Sequence, residues 1–298
     1  MTSSTESITM NTINLIGYAS GIAANDKQCG LGPQYLLEHH KIFTDLNLIP
    51  EWKYMEYLES SRCGLDVWND ISDTLKKLAQ DVMQVVSQTT PFAVIGGDHS
   101  MAIATWQAIM AYYQSMGSIG LLWIDAHMDS NTPQSSLSKN VHGMPVSHLL
   151  GLWDNPLLNF DFLPKTLLKP EHLCLVGIRS YENPEYEYLK KRGVRIFFME
   201  DIEKRGLDEV LSEAFDCLYQ LTDNIGMSID LDAFDPRFCP GVGCRESNGI
   251  DFPAFIKFFS EFFYKDWIAL EIAEFNPVRD ECDKTAKSIA ELIRAAYF

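Results

Sequence analysis

The chain of 298 residues contains no apolar run approaching the ~20 residues that cross a bilayer. It also has no CxxC pair. Its seven cysteines are odd in number and irregularly spaced, which argues against a disulfide framework and for reduced thiols in a cytoplasm. Cys239 and Cys244 are near neighbours but lack the spacing of a zinc knuckle. Basic residues are scarce as well, with 24 Lys+Arg against 41 Asp+Glu and a net charge of -17. That balance argues against nucleic acid and anionic membrane as main partners and weakly favours cationic ligands, although solubility alone accounts for it. The first ten residues, MTSSTESITM, have no basic start followed by an apolar stretch. A mobile tail is expected there, not a signal peptide.

Apolar residues make up 46% of the chain, enough at this length to bury a sizeable core. Apolar runs bounded by turn signals predict strands at Ile13–Tyr18, Phe92–Gly96, Ile119–Ala126, Leu173–Gly177, Arg195–Met199, Ile225–Leu231 and Ile268–Phe275. Helical patterns lie between them, at Pro33–His40, Ile71–Ser87, Met101–Gln114, Ile202–Leu221, Pro253–Tyr264 and Lys284–Ala296. Several strands are continuously apolar, so both faces should be covered. The alternation predicts an α/β fold with a mostly parallel, doubly wound sheet. No linker divides the chain, so residues 11–298 read as one domain. Two polar stretches, 129–145 and 235–251, are long loops, and long loops in compact domains are often functional.

Ligands of parallel sheets sit at the carboxyl ends of strands, and four predicted strand ends carry unusual residues. VIGGDHS ends on Asp98 and His99, LLWIDAHMD on Asp125, His127 and Asp129, MSIDLDAFDP on Asp230 and Asp232, and ALEIAEFNP on Glu271 and Glu274. Residues i and i+2 of a strand share a face, so Asp125 points with His127 and Asp230 with Asp232. Bare carboxylates so placed repel and resist desolvation, and a cation between them removes the problem. His99, Asp125, His127, Asp129, Asp230 and Asp232 therefore read as ligands for two divalent ions. Carboxylate and imidazole without thiolate suit Mn²⁺ better than a soft-site metal, with Fe, Co, Ni and Zn left open. Singly, each motif has a plain structural explanation as a turn or cap; it is the ordered set that points to metal. Asp98 reads as an orienting residue and Asp235 as a turn cap before Pro236. His39, His40, His148 and His172 are read as structural. In the loop after Asp129, Asn131, Ser136, Ser138 and Asn140 offer hydroxyls and amides suited to the ends of a small molecule. His142 is placed to move protons near neutral pH.

The ordered set GGDHS, DAHMDSNTPQSSLSKNVHGMP, SIDLDAFDP and EFNP closely resembles the ureohydrolase family, which includes arginase, agmatinase and formimidoylglutamase. The resemblance runs from about Ile13 to the C-terminus, and the loop Asp129–Pro145 looks most like arginase. It implies a three-layer α/β/α fold with two Mn²⁺ per chain. His99, Asp125, Asp129 and Asp230 would hold one ion, and Asp125, His127, Asp230 and Asp232 the other. It further implies a hydroxide bridging the ions that attacks the guanidinium carbon of L-arginine, giving urea and L-ornithine. Glu274 would pair with this small cationic guanidino substrate. Asp129 would pass the proton to the leaving amine, and His142 would exchange it with bulk. Asn131, Ser138 and Asn140 would hold the α-carboxylate, Glu182 the α-amino group, with Glu185 at a nearby acidic position. The resemblance also implies a homo-oligomer, trimeric or hexameric.

Three positions depart from the arginase pattern. Lys139 replaces a small residue and changes the loop's shape or charge near the carboxylate end. Glu182 replaces Asp and lengthens that arm by one methylene. Cys244-Arg245 stands where Thr-Pro is usual. These leave open a hydrolase of another guanidino or formimino acid. A non-catalytic metal-binding regulator of the same fold is the remaining alternative, and none of the six ligands is lost as it would require.

Overall fold

Eight strands lie side by side and all parallel, in the order β2-β1-β3-β8-β7-β4-β5-β6. They are β1 (Asn11–Ala19), β2 (Leu48–Tyr57), β3 (Phe92–Gly96), β4 (Ile119–Ile124), β5 (Leu173–Ile178), β6 (Arg195–Phe198), β7 (Asn224–Asp230) and β8 (Trp267–Ala273). The structure, a computed structural model, describes residues 9–88, 90–261 and 267–298. Of the tail expected at 1–10, residues 1–8 lie outside the described residues; β1 begins at Asn11.

The helices among the described residues are α1 (Gly32–Glu38), α2 (Lys41–Thr44), α3 (Trp68–Val86), α4 (Ala102–Tyr113), α5 (Pro145–Leu149), α6 (Asn183–Arg192), α7 (Met199–Arg205), α8 (Leu207–Leu221), α9 (Phe252–Glu261) and α10 (Lys284–Tyr297). They cover both faces, as continuous apolar strands require. In β4, Leu122 and Ile124 join one core with α1, α8, α9 and α10, while Leu121 and Trp123 join another with α3 and α4. The period of two thus sorts the strand residues into two cores, and the result is the three-layer α/β/α fold.

Three departures from the expectations stand out. β2 was not expected, because LIPEWKYMEY is half polar and contains Pro50. It is an edge strand pairing with β1 alone, where charge and proline are tolerated. α6 has no apolar stripe to announce it and buries only Glu185 and Leu189. The helix expected at Ile202–Leu221 is two, broken where Gly206 takes φ 90° between α7 and α8. The last residues of the helix expected at Pro253–Tyr264, 262–264, lie outside the described residues, and α9 runs to Glu261. No helix among the described residues is long and apolar enough to cross a membrane.

Candidate metal centre and substrate pocket

β3, β8, β7 and β4 are adjacent at the centre of the sheet although far apart in sequence. Their carboxyl ends bring Asp98-His99, Glu274, Asp230-Leu231-Asp232 and Asp125-Ala126-His127 to one place. The turn after β3 passes so close to Ser20 that a Cβ on Gly97 would stand 2.0 Å from its carbonyl oxygen, so only glycine fits. Asp98 caps that turn, accepting the N–H groups of Ser100 and Ala23 at 3.1 Å each, and so fixes where His99 begins.

The two Asp pairs are not aligned by strand pleating. β4 stops at Ile124, and Asp232 lies in a short 3₁₀ turn after β7. Instead, Asp125 Oδ1 accepts the N–H of His127 at 2.7 Å, and Asp230 Oδ1 accepts that of Asp232 at 2.9 Å. Two equivalent Asx turns hold the pairs on one side. Asp129 and Glu274 then take positive φ, 46° and 69°, which turns their side chains into the site. Such strain at non-glycine residues clusters where function demands it.

His99 Nδ1 faces three carboxylates, Asp129 at 3.1 Å, Asp230 at 3.2 Å and Asp125 at 3.5 Å. His127 Nδ1 faces Asp232 at 3.1 Å and Asp125 at 3.5 Å. Asp125 offers Oδ2 to the first histidine and Oδ1 to the second, so it stands between two neighbouring ligand groups. The carboxylates are 0–7% exposed. Burial, then repulsion from Asp232 and Asp125, drives the Asp230 carboxyl far above its usual range. Burial and Asp125 push Asp129 up to about 6. Asp125 is held low, because the two imidazoles outweigh its burial.

The far side of His99 sets its tautomer. Its Nε2 lies 2.9 Å from Ser228 Oγ, whose hydroxyl donates to Glu271 Oε1 at 2.7 Å; Trp106 Nε1 donates to the same oxygen at 3.0 Å. Trp123 stacks on the ring at 4.3 Å and donates to Asp125 Oδ2 at 2.8 Å. This chain places the imidazole proton on Nε2 and leaves Nδ1 as a lone pair. That nitrogen is buried, without a hydrogen-bond partner, amid carboxylates. A lone pair surrounded by anions attracts positive charge: burial opposes it, but the three carboxylates raise the pKa of His99, and a divalent cation meets the same donor set with more charge. The six predicted ligands therefore fit a pair of divalent ions.

A cavity of about 270 Å³ opens over these groups. Its lining includes Asp129, Asp232, His142 and Glu274, together with Asn131, Ser138, Asn140, Glu182 and Glu185. Glu274 Oε1 accepts the His99 N–H at 2.9 Å and lies 3.0 Å from His142 Nδ1. Burial opposes its ionisation, but His142 and that N–H hold its pKa below the ordinary value. A Cβ on Gly243 would crowd Oε2 at 3.3 Å, so glycine there leaves the second oxygen its room. Asn131 Oδ1 accepts from Ser135 at 2.8 Å, and its amide N–H is given to Glu182. Glu182 also caps α6, while Glu185 accepts the N–H of Ser130 at 3.0 Å; burial lifts Glu185 to about 7.

Not every sequence-predicted residue sits in the cavity wall. Ser136 is buried and accepts the Lys139 N–H at 2.9 Å, building the loop rather than the wall. The Lys139 ammonium is tied to the carbonyls of Pro133 (2.8 Å) and Gln134 (3.3 Å), so its charge secures its own loop. Arg245 donates to the carbonyls of Pro240 and Arg279, both at 2.7 Å, and leaves Cys244 at the cavity. The Asp235 carboxylate closes its turn by accepting from Arg237 N at 3.0 Å.

Three contributors were not singled out from the sequence. Ser228 stands two residues before Asp230, which was its one signal. Arg179 donates to the carbonyls of Gly177, Ala233, Asp232, Glu246 and Ser247 at 2.7–3.2 Å, lacing β5 to the loops after β7. Glu246 brings Oε1 to 3.5 Å from His127 Nε2. Nothing local in sequence marks either of the last two.

The family model described as the arginase family matches residues 11–298. The chain is 32% identical over 301 residues to an arginase of Bacillus caldovelox, covering 97% of this chain and 98% of that relative. It is 36% identical over 223 residues to an arginase of Bacillus subtilis strain 168, covering 74% and 73%. The crystal structure of an arginase from Bacillus subtilis superposes with a TM-score of 0.84 at 29% identity, over 96% of this chain and 98% of that one. A formimidoylglutamase from the same species shares the fold, at a TM-score of 0.76 and 20% identity, over 97% and 87%. Four strand ends joined at the centre of one sheet thus fall inside a match that spans nearly the whole sequence: the chain belongs to the arginase family.

Proposed function

We propose that the chain is a binuclear-metal hydrolase that cleaves the guanidinium group of L-arginine to urea and L-ornithine. The observation that carries this reading is Asp125, set between two histidine–carboxylate groups beside a cavity that Glu274 also lines. His99, Asp125, Asp129 and Asp230 would hold one ion, and Asp125, His127, Asp230 and Asp232 the other. Bound divalent ions make water acidic enough to supply a nucleophile at neutral pH, and carboxylate with imidazole favours Mn²⁺ in that role.

The chain's own residues do the rest. Glu274 binds the guanidinium through the carboxylate oxygen left by its bond to His99, and its negative charge selects a planar cation with several N–H donors. Asp129, a carboxylate lining the cavity, takes the proton released by the attacking water and gives it to the leaving amine. His142, whose side chain is 27% exposed, exchanges protons with solvent. At the amino-acid end of the substrate, Ser138, Asn140 and Asn131 receive the α-carboxylate, and Glu182 with Glu185 the α-amino group. The seven cysteines are all free thiols, which fits a reducing cytoplasm.

A second reading has one observation in its favour. Glu182 already engages the Asn131 amide, which alters the amino-acid end of the pocket and favours a related guanidino or formimino acid. The test is a substrate panel with Mn-loaded protein: urea release from arginine, agmatine, guanidinobutyrate and guanidinopropionate, and ammonia or formamide release from formimidoylglutamate. Arginine turned over well above the rest supports the first reading; formimidoylglutamate preferred overturns it in favour of the second.

A further inference from the structure

The two ligand histidines hand their far nitrogens to carboxylates in different ways. His99 reaches Glu271 through Ser228, is fully buried, and is clamped by Trp123. His127 has no stacked ring among the described residues, and its side chain is 27% exposed. With Nδ1 turned to Asp232 and Asp125, an imidazole ligating through Nδ1 carries its proton on Nε2, and that nitrogen points at Glu246 Oε1, 3.5 Å away. The position of Glu246 is built in. Arg179 Nη2 donates to the Glu246 carbonyl at 2.9 Å and to the Asp232 carbonyl at 2.7 Å, and its Nε donates to the Ser247 carbonyl at 3.0 Å. One guanidinium therefore indexes the loop that carries Glu246 against a ligand of the same metal group.

We propose that Glu246 is the positioning residue of the second metal site: it orients His127 with Nδ1 inward and gives the ion held by Asp125, His127 and Asp232 its affinity. The inference rests on the metal reading above. Groups behind a metal-bound histidine fix its tautomer and raise its basicity, and losing one typically weakens metal binding about 10–100-fold. The effect should fall on one ion of the two, because His99 has its own partner chain on the opposite side of the site.

The experiment titrates metal-free protein with Mn²⁺, reading stoichiometry and affinity by calorimetry and the metal pair by electron paramagnetic resonance. Glu246→Ala is made alongside Glu246→Gln, whose amide oxygen can still accept from Nε2–H. Both carry Cys244→Ser, as does the control, because Cys244 Sγ lies 3.7 Å from Glu246 Oε1 and a thiolate there would supply a new partner for His127 or the metal. The control is expected to bind two ions with the signal of a coupled pair. Glu246→Ala is expected to keep the first ion, to weaken the second about 10–100-fold and to show isolated Mn²⁺ at one equivalent, with Glu246→Gln in between. Two ions bound by Glu246→Ala as in the control would overturn the inference while leaving the metal reading intact. Equal weakening of both ions, with a lower melting temperature of the metal-free variant, would assign Glu246 to loop structure and overturn it too. A control that takes up no second ion would defeat the metal reading itself.

Discussion

His142 Nδ1 lies 3.0 Å from Glu274 Oε1 across the mouth of the metal centre, and the same oxygen accepts the backbone N–H of His99. One carboxylate thereby links the proposed proton carrier, the cavity and the backbone of a candidate metal ligand. Burial lowers the imidazole's pKa, but the Glu274 charge overcomes it and raises His142 to about 9. A group whose folded pKa is raised contributes stability that is fully present below its unfolded value, roughly 6.5, and is lost as pH rises through about 9. NMR titration should therefore place the His142 midpoint well above the ordinary value in the wild-type protein. In Glu274→Gln it should fall, since only the Asp129 and Asp98 charges then remain to oppose burial. An unchanged midpoint in the variant would break the assignment of the pair.

Glu274→Gln also tests the guanidinium contact. The glutamine oxygen can keep the His99 N–H, so fold and metal content should survive. The lost charge-assisted pair is worth about 1.5–3 kcal/mol, which lowers kcat/KM for arginine by roughly tenfold or more. A variant that keeps its kcat/KM but melts much lower would make Glu274 a structural residue.

Asp232→Ala removes a ligand from the His127 group and leaves the His99 group intact. Metal analysis should show about one ion lost per chain and most of the activity with it. Retention of two ions would contradict the grouping of ligands around Asp125.

Arginine should be preferred over agmatine by orders of magnitude, because Ser138, Asn140 and Asn131 are left without the carboxylate they face. Lys139→Ala should narrow that preference little, since its ammonium is spent on Pro133 and Gln134 carbonyls. Steady-state kinetics on both substrates decide this; a collapse of arginine selectivity in Lys139→Ala would show that the lysine does reach the carboxylate.

The central strands and the six candidate ligands at their ends were legible because buried parallel strands are nearly continuous apolar runs that stop abruptly at polar residues. The reason Asp125 and His127 point together was not legible. It lies in an Asx turn beyond the strand, and spacing of two residues looks the same in either case. β2 hid behind the polar composition that an edge strand tolerates, and α6 behind a face that buries almost nothing apolar. Arg179 and Glu246 act through contacts 53–119 residues away in sequence, with backbone carbonyls and with His127, and such pairings leave no local pattern.

Protein stripped of metal and reloaded with Mn²⁺ tests the central claim most directly, by measuring urea and ornithine released from L-arginine against the number of ions bound. The account predicts no release from the stripped protein, equal amounts of urea and ornithine from the reloaded one, and activity that rises as the second ion enters. Undiminished release from fully stripped protein, or two ions bound with neither product formed, would contradict it.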